Sequence, residues 1–291
     1  MDVSGNYKKK TTYEMNLTPS EMLMYSTIRI ECLDSSGNTS TGTGFFFSFL
    51  ENQENKTNVP VIITNKHVIE NNISGKLLFT LCDQNGEPLD KVHHTFNITD
   101  FRSAWVFHPD SEVDLCAMPI AQIINILSSQ NKTPFFIPFR KNLIPTKEQL
   151  EDLNAMEELV MVGYPNGIWD TINNQPILRK GITATHPNKD YCGKKEFVAD
   201  IASFPGSSGS PVLIFNQNGH QDKKGNVYMG QSRILLMGVL YAGPQYTTTG
   251  EIKILTIPTK QIPIPVSRIP NNLGMIIKSE RIMELENLFR Q

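Results

Sequence analysis

Phe204-Pro205-Gly206-Ser207-Ser208-Gly209-Ser210-Pro211 is the stretch that decides how this 291-residue chain is read. Its chemistry is that of a nucleophile loop. A serine hydroxyl attacks a carbonyl only when a base takes its proton, and the oxyanion that follows needs backbone N–H donors aimed at it. Gly206 can adopt a conformation closed to residues with a Cβ, so that the N–H groups of Gly206 and Ser208 converge on one point. Gly209 then leaves room behind Ser208. Gly/Ser/Pro clusters also mark ordinary turns, so the reading depends on partners elsewhere in the chain.

Two such partners lie upstream. Val61-Ile-Ile-Thr-Asn-Lys-His67-Val-Ile69 is a β-branched run that breaks at Asn65 and presents His67 just after a buried strand, where a short turn would hold its ring. Val113-Asp114-Leu-Cys-Ala-Met118 sets Asp114 at the mouth of another apolar run. A carboxylate there is costly to bury unless it accepts hydrogen bonds, and the imidazole N–H of His67 is a suitable donor. Singly, His67 reads as a solvated histidine and Asp114 as a strand cap. In series, His67, Asp114 and Ser208 stand 47 and 94 residues apart. That chain order is the one used by the chymotrypsin-type double barrel. The α/β-hydrolase order fits poorly. Its elbow needs Gly-x-Ser-x-Gly, whereas Ser210 stands two residues after Ser208, and only His220, in a polar stretch, follows the serine. His108 and Asp110 flank Asp114 as competing members, but the apolar run begins only after Asp114.

The wider pattern resembles a trypsin-like serine peptidase of the bacterial kind, similar to glutamyl endopeptidases and to the protease domain of HtrA. The residues that carry the resemblance are Thr41-Gly-Thr-Gly-Phe-Phe46, Thr64-Asn-Lys-His-Val68, Asp114-Leu115, Gly163-Tyr-Pro165, Gly206-Ser-Ser-Gly-Ser-Pro211 and Gly238-Val-Leu-Tyr-Ala-Gly243, spread from about residue 25 to residue 280. The resemblance implies an all-β fold of two six-stranded antiparallel barrels with short N- and C-terminal helices. It implies His67 as general base, Asp114 as its orienting partner, Ser208 as nucleophile, and the amides of Gly206 and Ser208 as the oxyanion hole. No cofactor is expected.

Substrate preference follows from the same pattern. The floor of the pocket for the residue before the cleaved bond falls six positions before the nucleophile, at Ala202, with Ser203 beside it; Tyr241, Ala242 and Gly243 form the wall. Ala202 brings no carboxylate to select Lys or Arg. Leu240 stands where glutamyl endopeptidases carry a histidine. The expectation is a small or medium uncharged residue before the cleaved bond. Asp200, eight positions before Ser208, is expected to be structural.

Length and composition agree with a single catalytic domain. With 39% hydrophobic residues the chain can bury a large core. The expected division is a first barrel at about 26–120, a linker with a helix at 121–158, a second barrel at 159–277 and a C-terminal helix at 278–291, leaving no PDZ-like module. Net charge −2 offers no basic field for nucleic acid or anionic lipid. Lys8-Lys-Lys10 reads as a solvated tail. No apolar stretch reaches the roughly 18–20 residues of a membrane span, and the first 15 residues lack the apolar core of a signal peptide, so the expected location is the cytoplasm. Cys32, Cys82 and Cys116 lie in or beside apolar runs as buried thiols would, and Cys192 does not. The six sequons at Asn16, Asn38, Asn55, Asn72, Asn97 and Asn131 then reflect Asn-rich composition. Cys82 with His93-His94 lacks metal-ligand spacing.

Thr18-Pro-Ser-Glu21 predicts a capped helix before a first strand at Ser26–Leu33, in which Ile28, Ile30 and Cys32 alternate with polar residues. Turns are expected at Ser35–Thr43, Glu51–Asn58, Asn71–Gly75 and Asn85–Asp90, and Phe45-Phe-Phe47 reads as core strand. Thr146-x-x-Gln149 predicts a helix carrying Leu150, Leu153 and Met156, and Ser279 caps a last helix with Ile282, Leu285, Leu288 and Phe289 on one side. Ser207 precedes the nucleophile where digestive relatives hold an aspartate that captures a new N-terminus. Restraint must then come from a narrow substrate range, an activating protein partner, or loops such as Gly163–Arg179, with Trp169, and Gln245–Asn272. Two readings result: an endopeptidase acting on protein or peptide substrates, and a protease-like binding module or dormant effector served by a partner complex.

Overall fold

The computed structural model describes residues 17–243, 245–249, 266–270 and 272–290. Lys8–Lys10, Asn16 and most of the Gln245–Asn272 insertion lie outside them. Helix α1 (Pro19–Met24) starts as its sequence requires: the Thr18 hydroxyl accepts the Glu21 N–H, and the Glu21 carboxylate accepts the Thr18 N–H at 2.6 Å.

The N-terminal half is one antiparallel sheet. Its strands are β1 (Thr27–Asp34), β2 (Thr39–Asn52), β3 (Thr57–Thr64), β4 (Asn72–Cys82), β5 (Pro88–Thr99), β6 (Val106–Phe107), β7 (Cys116–Pro119) and β8 (Pro134–Phe135). They run in the order β5-β4-β1-β2-β3-β7-β6, with β8 added on β4. The class is the expected one, but this sheet has eight strands and its described pairings do not close into a six-stranded ring. Two local features of the sheet also stand apart from the expected barrel. Asn71–Gly75, expected as a turn, belongs largely to β4, where Gly75 sits opposite both Cys32 and Ile98 and the Phe101 ring occupies the space a Cβ would need. The far edge, β6, has only two residues to pair.

The C-terminal half closes. Strands β9 (Glu158–Gly163), β10 (Ile177–Thr183), β11 (Glu196–Asp200), β12 (Pro211–Asn216), β15 (Arg233–Ala242) and β18 (Leu273–Lys278) form a six-stranded antiparallel barrel in the cyclic order β10-β11-β18-β15-β12-β9. Two hairpins stand outside it: β13 (Gly219–Gln221) with β14 (Val227–Met229), and β16 (Gln245–Thr249) with β17 (Val266–Pro270). His220 is therefore part of a hairpin, stacked on Tyr228 with ring centroids 5.0 Å apart.

Strand periodicity sorts the apolar side chains into three clusters. Ile28, Ile30, Phe46, Ile62 and Leu77 fill one face of the first sheet. Met161, Phe197, Ala199, Val212, Ile214 and Ile276 fill the barrel. Their sequence neighbours on the opposite faces, Phe45, Phe47, Val61 and Ile63 from the sheet and Val162, Leu213 and Ile277 from the barrel, meet in the third cluster and join the two halves. Phe45, Phe46 and Phe47 are all buried, as a core strand demands.

The crossover carries two helices. α3 (Ala121–Ser129), which the sequence reading did not anticipate, buries Ile123 and Leu127. α4 (Lys147–Glu151) has the Thr146–Gln149 capping box but ends sooner than predicted. Leu153 is buried beyond its end, whereas Met156 is 69% exposed. The last helix, α5 (Glu280–Glu286), buries Ile282 and Leu285 in the inter-sheet cluster, with Leu288 and Phe289 packed beside them. It docks on the chain's own core. Ser279 is not its cap: the residue has helical φ/ψ and its side chain makes no capping hydrogen bond.

Candidate active site

His67 stands on a one-turn helix, α2 (Lys66–Ile69), where β3 leaves the sheet. Val68 and Ile69 anchor the turn in the core, and His67 faces solvent. The Asn65 side chain donates to the Asp114 carbonyl at 2.8 Å, and Lys66 Nζ donates to the Asp110 carbonyl at 2.8 Å. Two successive residues thus tie the His67 turn to the loop before β7.

The Asp114 carboxylate is bound twice to His67. Oδ1 accepts the His67 main-chain N–H at 3.0 Å, and Oδ2 lies 2.5 Å from Nδ1. The side chains are 47% and 22% exposed, so the pair is half-shielded from water. With Nδ1–H donating to the carboxylate, Nε2 is the nitrogen free to accept a proton. His108 and Asp110 are engaged elsewhere: Asp110 pairs with Arg281 at 2.7 Å, and His108 is buried 3.1 Å from Glu284.

Ser208 reaches the same place through Thr43. The Thr43 N–H donates to the Ser208 carbonyl at 2.9 Å, and the Thr43 carbonyl accepts the Thr64 hydroxyl at 2.7 Å, three residues before His67. The Thr43 hydroxyl donates to the Gly206 carbonyl at 2.9 Å and accepts the Tyr164 N–H at 3.1 Å. One buried threonine therefore links the serine loop, the His67 strand and the start of the β9–β10 connection, which is shorter than the expected Gly163–Arg179 loop because Ile177–Arg179 pair with β9 as the start of β10. The sequence reading placed Thr43 within a motif and at the end of an expected turn, whereas the residue lies inside β2. Its role follows from the topology, which sets β2 beside β3 and against residues 206–209.

The glycines fit this packing. Gly206 has φ +88°, and a Cβ there would lie 2.6 Å from the Tyr164 carbonyl oxygen; Gly209 has φ +87°, and a Cβ there would enter the Thr43 carbonyl. Among the described residues, the N–H groups of Gly206 and Ser208 have no backbone acceptor, while Ser207 N–H turns back to Phe204 and Gly209 N–H goes to Leu240. Two unspent donors, one on Ser208 itself and one two residues before it, are what an oxyanion would need. Among the described residues Ser208 Oγ and His67 share no hydrogen bond within 3.5 Å; such bonds are often long in free enzymes.

Two of the five predicted pocket residues meet. Ser203 and Gly243 face each other, since a Cβ on Gly243 would lie 3.7 Å from Ser203 Cβ. Leu240, Ile201 and Ser203 surround Gly274. The Ala202 carbonyl accepts Arg179 Nη1 at 3.1 Å. Ala242 is exposed, and Asp200 is exposed at the end of β11. Tyr241 donates its hydroxyl to the buried Glu196 at 2.9 Å; burial, that bond and the nearby negative charges push its phenol well up, so it stays neutral. Trp169 lies under the Arg29 guanidinium, 3.9 Å from its ring centroid. Cys32 is pushed up to about 12 and Cys116 raised strongly, both by burial, so neither supplies a thiolate nucleophile. Among the described residues the four cysteines are free, and no group of three or more His, Cys, Asp or Glu could hold a metal ion.

Residues 42–220 match the family model of the trypsin-like peptidase domain. Solved structures of similar shape include the Rv3671c protease from M. tuberculosis in its active form, 13% identical over 90% of this chain and 79% of that chain with TM-score 0.45. Another is the thermostable serine protease AL20 from an extremophilic microorganism, 10% identical over 91% of this chain and 97% of that chain with TM-score 0.45. No curated protein sequence matches significantly.

Proposed function

The chain belongs to the trypsin-like peptidase domain family and is a serine endopeptidase, and from that premise we propose that His67, Asp114 and Ser208 carry out peptide hydrolysis through an acyl-enzyme. The pair of hydrogen bonds between His67 and the Asp114 carboxylate is the observation that carries the reading. Asp114 holds the imidazole with Nε2 as acceptor. Ser208 Oγ attacks the substrate carbonyl carbon while its proton passes to Nε2, and the oxyanion is received by the N–H groups of Gly206 and Ser208. Collapse breaks the C–N bond, and the proton on Nε2 goes to the leaving amine. Water then attacks the ester with His67 again as base, releasing the acid and restoring Ser208.

The pocket made by Ala202, Ser203, Tyr241, Ala242 and Gly243 suits a short side chain before the cleaved bond, because Leu240 and Ile201 already occupy the space around Gly274. Its own lining brings no charge. A pure binding module would not need a carboxylate directed at Nδ1, so hydrolysis is the preferred reading, and a dormant effector that waits for a partner would use the same pair once activated. The test is incubation with a peptide mixture followed by mass spectrometry. New termini and a transient acyl adduct on Ser208 are expected for the wild type and neither for Ser208→Ala; cleavage that persists in Ser208→Ala would overturn the assignment.

A further inference from the structure

Among the described residues, Arg179 is a cation without an anion at the edge of the pocket. On β10 the side chains alternate: Leu178, Lys180 and Ile182 are exposed, and Arg179 between them turns inward. Its guanidinium crosses from the barrel wall to the Ala202 carbonyl at 3.1 Å and covers the Phe204 ring, 4.8 Å from the centroid. Both residues belong to the segment that leads from the pocket floor to Ser208. Nε is buried with no hydrogen-bond partner. Among the described residues no carboxylate lies within 4 Å of the side chain, whereas the other arginines that are not exposed each hold one: Arg29 with Glu31, Arg233 with Glu157, Arg281 with Asp110. Lys180, on the outer side of the same strand, is paired with Glu158.

A partly desolvated guanidinium without a carboxylate forgoes the interaction that normally compensates its burial, and its planar fork matches a carboxylate better than any other group. We propose that Arg179 sets the charge preference of the pocket, so that the residue accepted before the cleaved bond is acidic, with aspartate favoured by the limited depth. This inference rests on the reading of Ser208 as nucleophile and residues 202–204 as pocket segment. It replaces the uncharged preference expected from the lining residues alone. The short reach remains; the charge is added from the neighbouring strand, six-position spacing from the serine giving no hint of it. A lysine or arginine in the substrate would meet the same cation and be rejected.

The experiment has two arms. In the first, a fluorogenic peptide library varied at the residue before the cleaved bond is turned over by the wild-type chain, with Arg179→Met and Arg179→Lys alongside. In the second, acetyl-Ala-Ala-Asp and acetyl-Ala-Ala-Asn are titrated into Ser208→Ala and into Ser208→Ala carrying Arg179→Met, which reads the pocket without catalysis. One charge-assisted hydrogen bond predicts a preference for Asp over Asn of about 10- to 100-fold, falling to near unity in Arg179→Met and largely kept in Arg179→Lys. Equal binding of the two peptides, binding of neither, or a preference unchanged by Arg179→Met would overturn the inference. Turnover without acidic preference would leave the proposed function standing and remove this one; an Asp preference in the binding arm without turnover would do the reverse.

Discussion

The main-chain N–H of His67 and its ring Nδ1 bind the two oxygens of one carboxylate, Asp114, at 3.0 and 2.5 Å. The carboxylate therefore fixes the ring's orientation as well as its protonation. Asp114→Asn keeps an oxygen for the main-chain N–H but turns an amide N–H toward Nδ1, which forces the proton onto Nε2. A fall in kcat/KM of about 10³- to 10⁴-fold is expected, with thermal unfolding little changed. Steady-state kinetics beside a melting curve checks both.

Thr43 gives a second prediction. Thr43→Val preserves shape and loses the hydroxyl that donates to Gly206 and accepts from Tyr164. The variant should unfold about 1–3 kcal/mol more easily, the cost of leaving buried partners unpaired. It should also slow acylation, because the Gly206 carbonyl loses the bond that orients its loop. Denaturant melts and a burst assay measure the two effects.

Gly206→Ala addresses the oxyanion donors. A Cβ at φ +88° would press on the Tyr164 carbonyl 2.6 Å away, so the peptide must rotate. A loss of about 10²- to 10³-fold in kcat is expected, while binding of a product-like peptide is largely retained.

Acid sensitivity is predicted at His108. Its ring is fully buried, Nδ1 accepts the Asp110 N–H at 3.2 Å, and burial, aided by Arg281 and Lys66, lowers its pKa despite Glu284. Above about pH 6.5 the residue is neutral in folded and unfolded chains alike. As pH falls below that value the unfolded chain takes up the proton first, so stability declines until the folded pKa is reached. His108→Gln should flatten this part of the stability curve, measured by denaturant midpoints from pH 7.5 to 5.

Much of this was legible in the sequence because the informative residues are local. A β-branched run ending at His67, an aspartate opening Leu115–Met118 and two glycines around Ser208 each announce a strand end or a strained turn. What was not legible depends on contacts between distant segments. Gly75 looks like a turn residue, and only the Phe101 ring opposite it explains a glycine within β4. Met156 keeps helical spacing from Leu153 but lies beyond a five-residue helix. Arg179 entered the sequence reading only as the end of a loop, and it is the closed barrel that brings β10 to Ala202.

The central claim is tested most directly by reacting the purified chain with a fluorophosphonate probe, beside Ser208→Ala and His67→Ala. The account predicts rapid labelling of the wild type at Ser208, abolished in the first variant and slowed by several orders of magnitude in the second. A folded wild-type chain that resists the probe, or labelling indifferent to His67→Ala, would contradict it.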